Sequence, residues 1–180
     1  MALLAALPAG CAANDDLTLA DAQAFDAYRL YYSGTEAAGL PLEAVVQGWA
    51  TNRHARQQGQ RAIYWTFVYG DCTPPPSEGG CAPPLQVQVW SACVRSIGSK
   101  RHLYEFRGAK ATGVGGRVEV SPMEISTGRS TIIVFGNDKP LIKAAARELR
   151  EVHQTQAASR FPPPARGSLE GKLPCQLKRR

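Results

Sequence analysis

The stretch from residue 62 to residue 93 constrains the fold most, because it holds two strand-like runs joined by a loop that cannot be helical. Ala62–Tyr69 (AIYWTFVY) has no strongly polar face, which predicts a strand inside a sheet with both faces covered. Residues 85–90 alternate Leu or Val with Gln and Trp, which predicts a strand with one wet face. Three prolines at 74–76 and two glycines at 79–80 favour turns over a sheet ladder. The sequence therefore predicts a β-hairpin here.

Four further segments are candidates for the same sheet. Residues 25–33 are rich in aromatic side chains, which predicts a first strand. Residues 39–46 fit either a strand or a short helix, because periodicity cannot decide at that length. Residues 118–125 predict a weak strand interrupted by Pro122, and residues 130–135 (STIIVF) predict a strong one.

One amphipathic helix is predicted after the last strand. Asn137 and Asp138 offer an N-cap, and Pro140 falls in the first turn. Apolar side chains then recur on one stripe, namely Leu141, Ile142, Ala145, Leu149 and Val152. The strands come first and regular βαβ alternation is absent. The predicted fold is therefore α+β, a mostly antiparallel β-sheet with one C-terminal amphipathic helix packed on it and an extended Pro-rich tail.

Composition suggests four regions along the 180 residues. They are a signal-peptide or lipobox-like segment (1–11), an acidic tether (12–24), a single α+β domain (25–154) and an extended Pro/Gly-rich basic tail (155–180). A hydrophobic content of 44% argues against a disordered chain, and no apolar run approaches the ~18–20 residues of a membrane span. Residues 151–180 hold six Lys or Arg against two Glu, so the tail favours anionic surfaces.

The opening segment ends in Ala9-Gly10-Cys11 and resembles the end of a bacterial lipoprotein signal peptide. In that pattern, small residues precede a Cys that carries the lipid after cleavage. The likeness implies lipidation of Cys11 and a membrane as partner through that anchor. No Lys or Arg precedes the apolar run, and Pro8 stands where a Leu-like residue is usual. The alternative is an N-terminus that packs on the domain, with Cys11 as a buried thiol.

The five cysteines predict disulfides rather than a metal or redox site. If Cys11 carries lipid, four remain, and Cys72 with Cys81 is the obvious local pair. That leaves Cys93 with Cys175, although four cysteines allow three connectivities and the sequence does not exclude the other two. Zinc sites favour pairs separated by two to four residues, and the chain contains no C-x-x-C. No metal and no cofactor is therefore expected.

The hairpin also resembles a known group of proteins. The strings Tyr69-Gly70-Asp71-Cys72, Gly79-Gly80-Cys81 and Pro84-Leu85-Gln86-Val87-Gln88-Val89 are similar to those of small secreted or lipid-anchored envelope proteins of high-GC Gram-positive bacteria. The likeness spans roughly residues 28–161. No activity is assigned to that group, so the resemblance implies a compartment and no catalytic residue.

No motif in the sequence identifies a reaction. His54, His102 and His153 are not spaced with Ser, Cys or carboxylates in a recognisable arrangement, and nucleophile-elbow, metallopeptidase and phosphate-loop motifs are absent. The basic and aromatic residues of 95–107 could contact nucleic acid, but a solvated sheet edge explains them as well and nucleic acid is disfavoured for an exported protein. The sequence therefore favours a non-catalytic protein.

These observations favour an exported, lipid-anchored cell-envelope domain that acts as a binding, interaction or structural protein. Its expected location is extracytoplasmic, membrane-anchored or secreted, and its expected partner is an envelope protein or an anionic polymer. Two alternatives remain. One is an exported hydrolase whose site is assembled from distant residues around His102 and Asp71. The other is a cytoplasmic basic binding module with reduced cysteines.

Overall fold

The computed structural model describes residues 17–50, 62–71, 83–98, 102–113 and 121–175. Within these residues the chain forms an eight-stranded antiparallel sheet, a two-stranded sheet and two helices. In chain order, the strands of the large sheet are β2 (Glu36–Ala37), β3 (Leu40–Ala50), β4 (Ala62–Tyr69), β5 (Leu85–Ser91), β6 (Tyr104–Phe106), β7 (Ala109–Thr112), β8 (Met123–Thr127) and β9 (Ser130–Gly136). Across the sheet they lie in the order β2-β3-β4-β5-β9-β8-β7-β6. The small sheet pairs β1 (Tyr31–Tyr32) with β10 (Arg150–Glu151), and the helices are α1 (Leu19–Ala24) and α2 (Lys139–Glu148). The predicted α+β fold with a mostly antiparallel sheet is confirmed.

The predicted hairpin lies at the centre of the large sheet. β4 pairs with β5, and β5 pairs with β9, so both predicted strands are interior and confirmed. Gln86 and Gln88 are half-buried on the outer face, whereas the alternate side chains of β5 are fully buried on the inner face. This inner face forms the main hydrophobic core together with α2. Its large members are Trp65, Phe67, Tyr69, Leu85, Val87, Val89, Ile125, Ile132 and Val134.

Helix α2 begins where the sequence predicts it. The Asp138 side chain accepts a hydrogen bond from the Leu141 amide at 2.7 Å and so satisfies one of the unpaired N–H groups of the first turn. Ile142 and Ala145 belong to the main core. The helix ends at Glu148, and the buried Leu149 is its C-cap. Neither helix in the described parts of the chain is long and apolar enough to cross a membrane.

Residues 25–33 form a strand only at their end. β1 covers Tyr31–Tyr32, and the irregular path of residues 25–30 shows that the strand predicted there is wrong. The Tyr28 hydroxyl holds this segment against the large sheet, because it donates to the carbonyls of Ile63 and Val89 at 2.8 and 3.2 Å. Strand β4 already pairs with β3 and β5, so the segment cannot join it as a neighbouring strand.

Two buried hydrogen bonds join Ser33, which directly follows β1, to β4 and α2. The Tyr69 hydroxyl accepts a hydrogen bond from the Ser33 amide at 2.9 Å, and the Ser33 hydroxyl donates to the carbonyl of Ala145 at 2.9 Å. Both Tyr69 and Ser33 are fully buried. Burial raises the pKa of Tyr69 far above its ordinary value, so the phenol stays neutral.

Substituting Tyr69→Phe is expected to lower the free energy of unfolding by about 2 kcal/mol, because the Ser33 amide would be left buried without a partner. Urea unfolding monitored by Trp fluorescence measures this change. Tyr32→Phe is the matched control, since Tyr32 is also buried but its hydroxyl makes no hydrogen bond to a described residue. Equal losses for the two variants would contradict the role given to the Tyr69 hydroxyl.

The turn between β6 and β7 carries Arg107, whose side chain binds the backbone carbonyls at the C-terminal end of helix α2. Arg107 and Gly108 have φ values of +53° and +86°, as a two-residue type I′ turn requires. The Arg107 guanidinium donates to the carbonyls of Ala146, Arg147 and Leu149 at 3.2, 2.9 and 3.4 Å. These carbonyls lie at the end of the helix, where backbone acceptors lack intrahelical partners. Burial lowers the pKa of Arg107.

Residues 161–175 pack along the turn between β8 and β9. The Gly128 amide donates to the carbonyl of Pro163 at 3.1 Å, and the Ala165 amide donates to the carbonyl of Gly128 at 2.8 Å. The Thr127 hydroxyl donates to the carbonyl of Pro162 at 3.0 Å. These bonds are supported by the buried Phe161, whose ring lies edge-on to Tyr31 at 5.4 Å between centroids.

A disulfide joins Cys93, just after β5, to Cys175. The two residues are 82 positions apart and their Cα atoms lie 5.1 Å apart. Cys93 packs with Ala92 and Leu173 in a second, smaller apolar cluster. The bridge thus fastens the end of residues 161–175 to the segment that follows β5. Cys72 and Cys81 lie outside the described residues, so their predicted pairing stays a prediction.

Candidate functional site: the cleft at Arg29 and Glu151

Two cavities lie side by side near the small sheet. The first has a volume of about 810 Å³ and the second of about 520 Å³. Arg29, Glu151, His153 and Pro162 line both of them. We refer to the two cavities together as the Arg29 cleft, and it is the candidate site because polar and cationic side chains converge there.

An ion pair forms the ridge between the two cavities. Arg29 precedes β1, Glu151 ends β10, and the pairing of Tyr31 with Glu151 brings the two segments together. The Arg29 Nη1 donates to the Glu151 Oε1 at 2.6 Å. This hydrogen bond, with the carboxylate charge, raises the pKa of Arg29, so the guanidinium stays charged. The Arg29 guanidinium also interacts with the Tyr31 hydroxyl, and its other N–H donors remain for a ligand.

The floor of the first cavity is aromatic. Tyr31 and Phe161 line it, and both side chains are almost fully buried. Burial raises the pKa of Tyr31, so its hydroxyl is neutral at ordinary pH. A rigid apolar floor beneath a polar rim can bind the uncharged part of a ligand while the rim binds its charged groups.

The rim of the cleft is a polar loop, residues 152–163, whose two ends are fixed. Arg150 donates to the carbonyls of Thr155 and Ser33, which holds the start of the loop against β1. At the other end, the Phe161 amide donates to the carbonyl of Arg107 at 2.6 Å. Residues 153–157 between them are exposed and supply His, Gln and Thr side chains to the first cavity.

Two more arginines are divided between the cavities. Arg160 lines the first and Arg129 lines the second. Arg160 lies against Gly108, where an added Cβ would be 2.9 Å from the Cγ and Nε atoms of the arginine. Close contact with a glycine thus positions the Arg160 side chain at the rim. Asp26 also lines the second cavity, so the first cavity is the more positive one.

The carboxylates and imidazoles of the cleft are, among the described lining residues, Glu151, Asp26 and His153. His153 is its one imidazole among the described lining residues, and it makes no hydrogen bond to a described hydroxyl or carboxylate. Glu151 is already held by Arg29. A nucleophile needs a base within hydrogen-bond reach, and the lining does not provide that arrangement.

The residues suggested for a hydrolase lie apart from this cleft. Asp71 follows β4, and His102 precedes β6. Four strands lie between β4 and β6 in the sheet, and both side chains are exposed. The pair therefore does not form a site on neighbouring strands. Other residues singled out by the sequence lie outside the described part of the chain, namely Cys11, His54 and the basic end of the tail.

The aromatic residues of the outer face form a packed row. Tyr64 and Trp90 stack with 4.1 Å between ring centroids and an angle of 14° between planes. The tip of the Tyr64 ring lies over Gly48, where an added Cβ would overlap it. Arg95 lies 5.6 Å from the centre of the Trp90 ring and bonds to Glu124 at 3.2 Å. Because these contacts occupy the ring faces, the row stabilises the sheet and offers no stacking platform.

No signal in the sequence pointed to the cleft. Arg29 and Glu151 are 122 residues apart, and neither stands in a motif. His153 likewise has no recognisable spacing with Ser, Cys or carboxylates. Comparison with protein-family models, curated proteins and solved structures finds no match to this chain.

Proposed function

We propose that this chain is an exported cell-envelope domain, anchored through lipid on Cys11, that binds a ligand in the Arg29 cleft without transforming it. The observation that carries the proposal is the Cys93–Cys175 disulfide. Disulfides persist mainly in oxidising compartments outside the cytoplasm, and this one fastens a long tail to the sheet.

The anchor rests on Ala9-Gly10-Cys11. A lipobox-like Cys receives a diacylglycerol group, and two acyl chains hold a protein on a bilayer where a single chain binds only marginally. The acidic tether predicted over residues 12–24 then ends before helix α1 (Leu19–Ala24), because Ala22 of that helix belongs to the main core. The Pro/Gly-rich basic segment predicted over residues 155–180 packs on the domain through residues 161–175. The tail continues past Cys175 to Lys178-Arg179-Arg180, whose charges favour an anionic envelope surface.

Intact mass of the mature protein from its own cells, with and without reduction, tests this function. The expected species begins at Cys11, carries added acyl mass and gains about four mass units on reduction, as two disulfides require. A variant with Cys11→Ser, expressed in the same cells, is expected to leave the membrane fraction. An unmodified chain that begins at Met1 and contains five free thiols would overturn the proposal.

A further inference from the structure

We propose that the Arg29 cleft binds a linear polyanion, with one anionic group in each cavity and the uncharged connecting part of the ligand crossing the Arg29–Glu151 ridge. This inference rests on the proposed function, because it names the ligand class of the same site. The class is an oligomer with repeating phosphate or carboxylate groups joined by polar, uncharged units.

The placement of the cations is the first reason. Arg29 lines both cavities, Arg160 only the first and Arg129 only the second. A ligand with a single charge would use one end of this arrangement. A ligand with charges at intervals would use both ends, and Arg29 could contact an anionic group in either cavity.

The donors that remain on these arginines are the second reason. The Arg160 guanidinium makes no hydrogen bond or ion pair to a described residue. Arg29 interacts with Glu151 and with the Tyr31 hydroxyl, and Arg129 uses one nitrogen for the carbonyl of Pro174. Each guanidinium has five N–H donors, and a planar fork of this kind suits phosphate and carboxylate oxygens.

The neutral lining accounts for the connecting part of the ligand. Gln154, Gln156, Thr155 and Ser159 supply amides and hydroxyls along the first cavity. These groups can donate to and accept from hydroxyl-bearing units, and Phe161 provides an apolar floor beneath them. A polymer of sugar or polyol units with anionic groups at intervals fits this alternation of charge and neutral polarity.

The acidic groups of the cleft define which end binds more tightly. Glu151 is paired with Arg29 at the ridge, and Asp26 lines the second cavity. The first cavity, with Arg160 and no Asp26, is therefore the stronger anion site. Binding should weaken as ionic strength rises, because exposed charges are screened by salt.

Calorimetric titration of the full-length, oxidised protein tests the proposal with three probes of matched length. They are poly(glycerol phosphate), oligogalacturonate and neutral dextran. Both polyanions are expected to bind with an affinity that falls with salt, and dextran is not. Binding of one polyanion alone would identify phosphate or carboxylate as the natural group. Binding of neither, or dextran binding as tightly, would overturn the proposal.

Matched variants separate the cleft from general attraction to a basic protein. Arg160→Gln is expected to weaken polyanion binding about tenfold, the loss of one charge-assisted contact. Arg166→Gln, which removes the same charge from an exposed site outside the cleft, is expected to change the affinity less than about twofold. Both variants must keep the wild-type melting temperature. Equal losses for the two variants would contradict a specific site.

A short probe tests the use of both cavities. Arg129→Gln is expected to weaken binding of the polymer about threefold or more, but to leave glycerol 1-phosphate unchanged, because a single anion takes the first cavity. Equal effects on both probes would contradict the two-cavity arrangement. These titrations can be made on protein without its lipid anchor, and the mass measurement on the native protein does not involve a ligand. Failure of this inference and failure of the proposed function can therefore be told apart.

Discussion

Replacing both Cys93 and Cys175 by Ser is expected to lower the free energy of unfolding by about 4 kcal/mol, the largest effect that the structure predicts. The reason is chain entropy. The bridge closes a loop of 82 residues in the unfolded chain, and long loops lose the most entropy when they are closed. Guanidinium unfolding of the oxidised wild type and of the double variant measures the difference.

The other predicted pair provides a control for loop length. If Cys72 and Cys81 are joined, their short loop is worth about 2–3 kcal/mol, so replacing both by Ser should cost clearly less. Reduction of the wild type should then cost more than either double variant. If the double variant at positions 93 and 175 is as stable as the wild type, residues 161–175 are held on the sheet by their packing alone.

Arg107→Ala is expected to lower the free energy of unfolding by about 3 kcal/mol, the second largest effect. The guanidinium makes hydrogen bonds to three carbonyls at the end of α2 and lies 4.6 Å from the centre of the Phe161 ring. The variant loses these contacts and removes the side-chain donor from the carbonyls of Ala146 and Arg147, whereas the Leu149 carbonyl keeps the Ala158 amide at 3.0 Å. The φ of +53° is equally unfavourable for Ala and for Arg, so it does not contribute to the difference. Chemical denaturation measures the change.

Arg147→Ala is the matched control for Arg107→Ala. It removes an arginine from the last turn of the same helix, but this side chain is exposed and its loss leaves the carbonyl of residue 147 in place. The expected change is at most about 0.5 kcal/mol. Arg107→Lys should fall between the two, because an ammonium keeps the charge but cannot reach all three carbonyls. A loss for Arg147→Ala as large as that for Arg107→Ala would mean that charge near the helix end matters and the capping geometry does not.

Local patterns were sufficient to predict the centre of the fold. The alternation around Gln86 and Gln88 predicts β5 and its wet face, because successive side chains of a strand point to opposite faces of the sheet. Asp138 predicts the start of α2, because a cap depends on neighbours three residues away. Periodicity left residues 39–46 open, and β3 is a strand because it pairs along most of its length with β4. That pairing joins segments separated by residues 51–61 of the sequence and leaves no local trace.

The ends of elements and the site depended on distant contacts. The apolar stripe predicted a helix through Val152, but the chain leaves the helix at Leu149 because Arg150 pairs with Tyr32 of β1. Arg107 belongs to a basic run that predicted a solvated sheet edge. β6 is indeed an edge strand, yet the Arg107 side chain turns inward to α2. The cleft likewise depends on a contact between residues far apart in sequence, which neither composition nor spacing can reveal.

The Cys93–Cys175 bridge also determines what a protease can do to this molecule. Any single peptide-bond cut between residues 93 and 175 leaves two fragments held in one covalent molecule. The exposed rim residues 153–157 lie inside that interval and are the kind of loop that proteases attack first. A nick there would open one wall of the cleft without releasing a fragment. The nicked protein would migrate as one species on a non-reducing gel and as two after reduction.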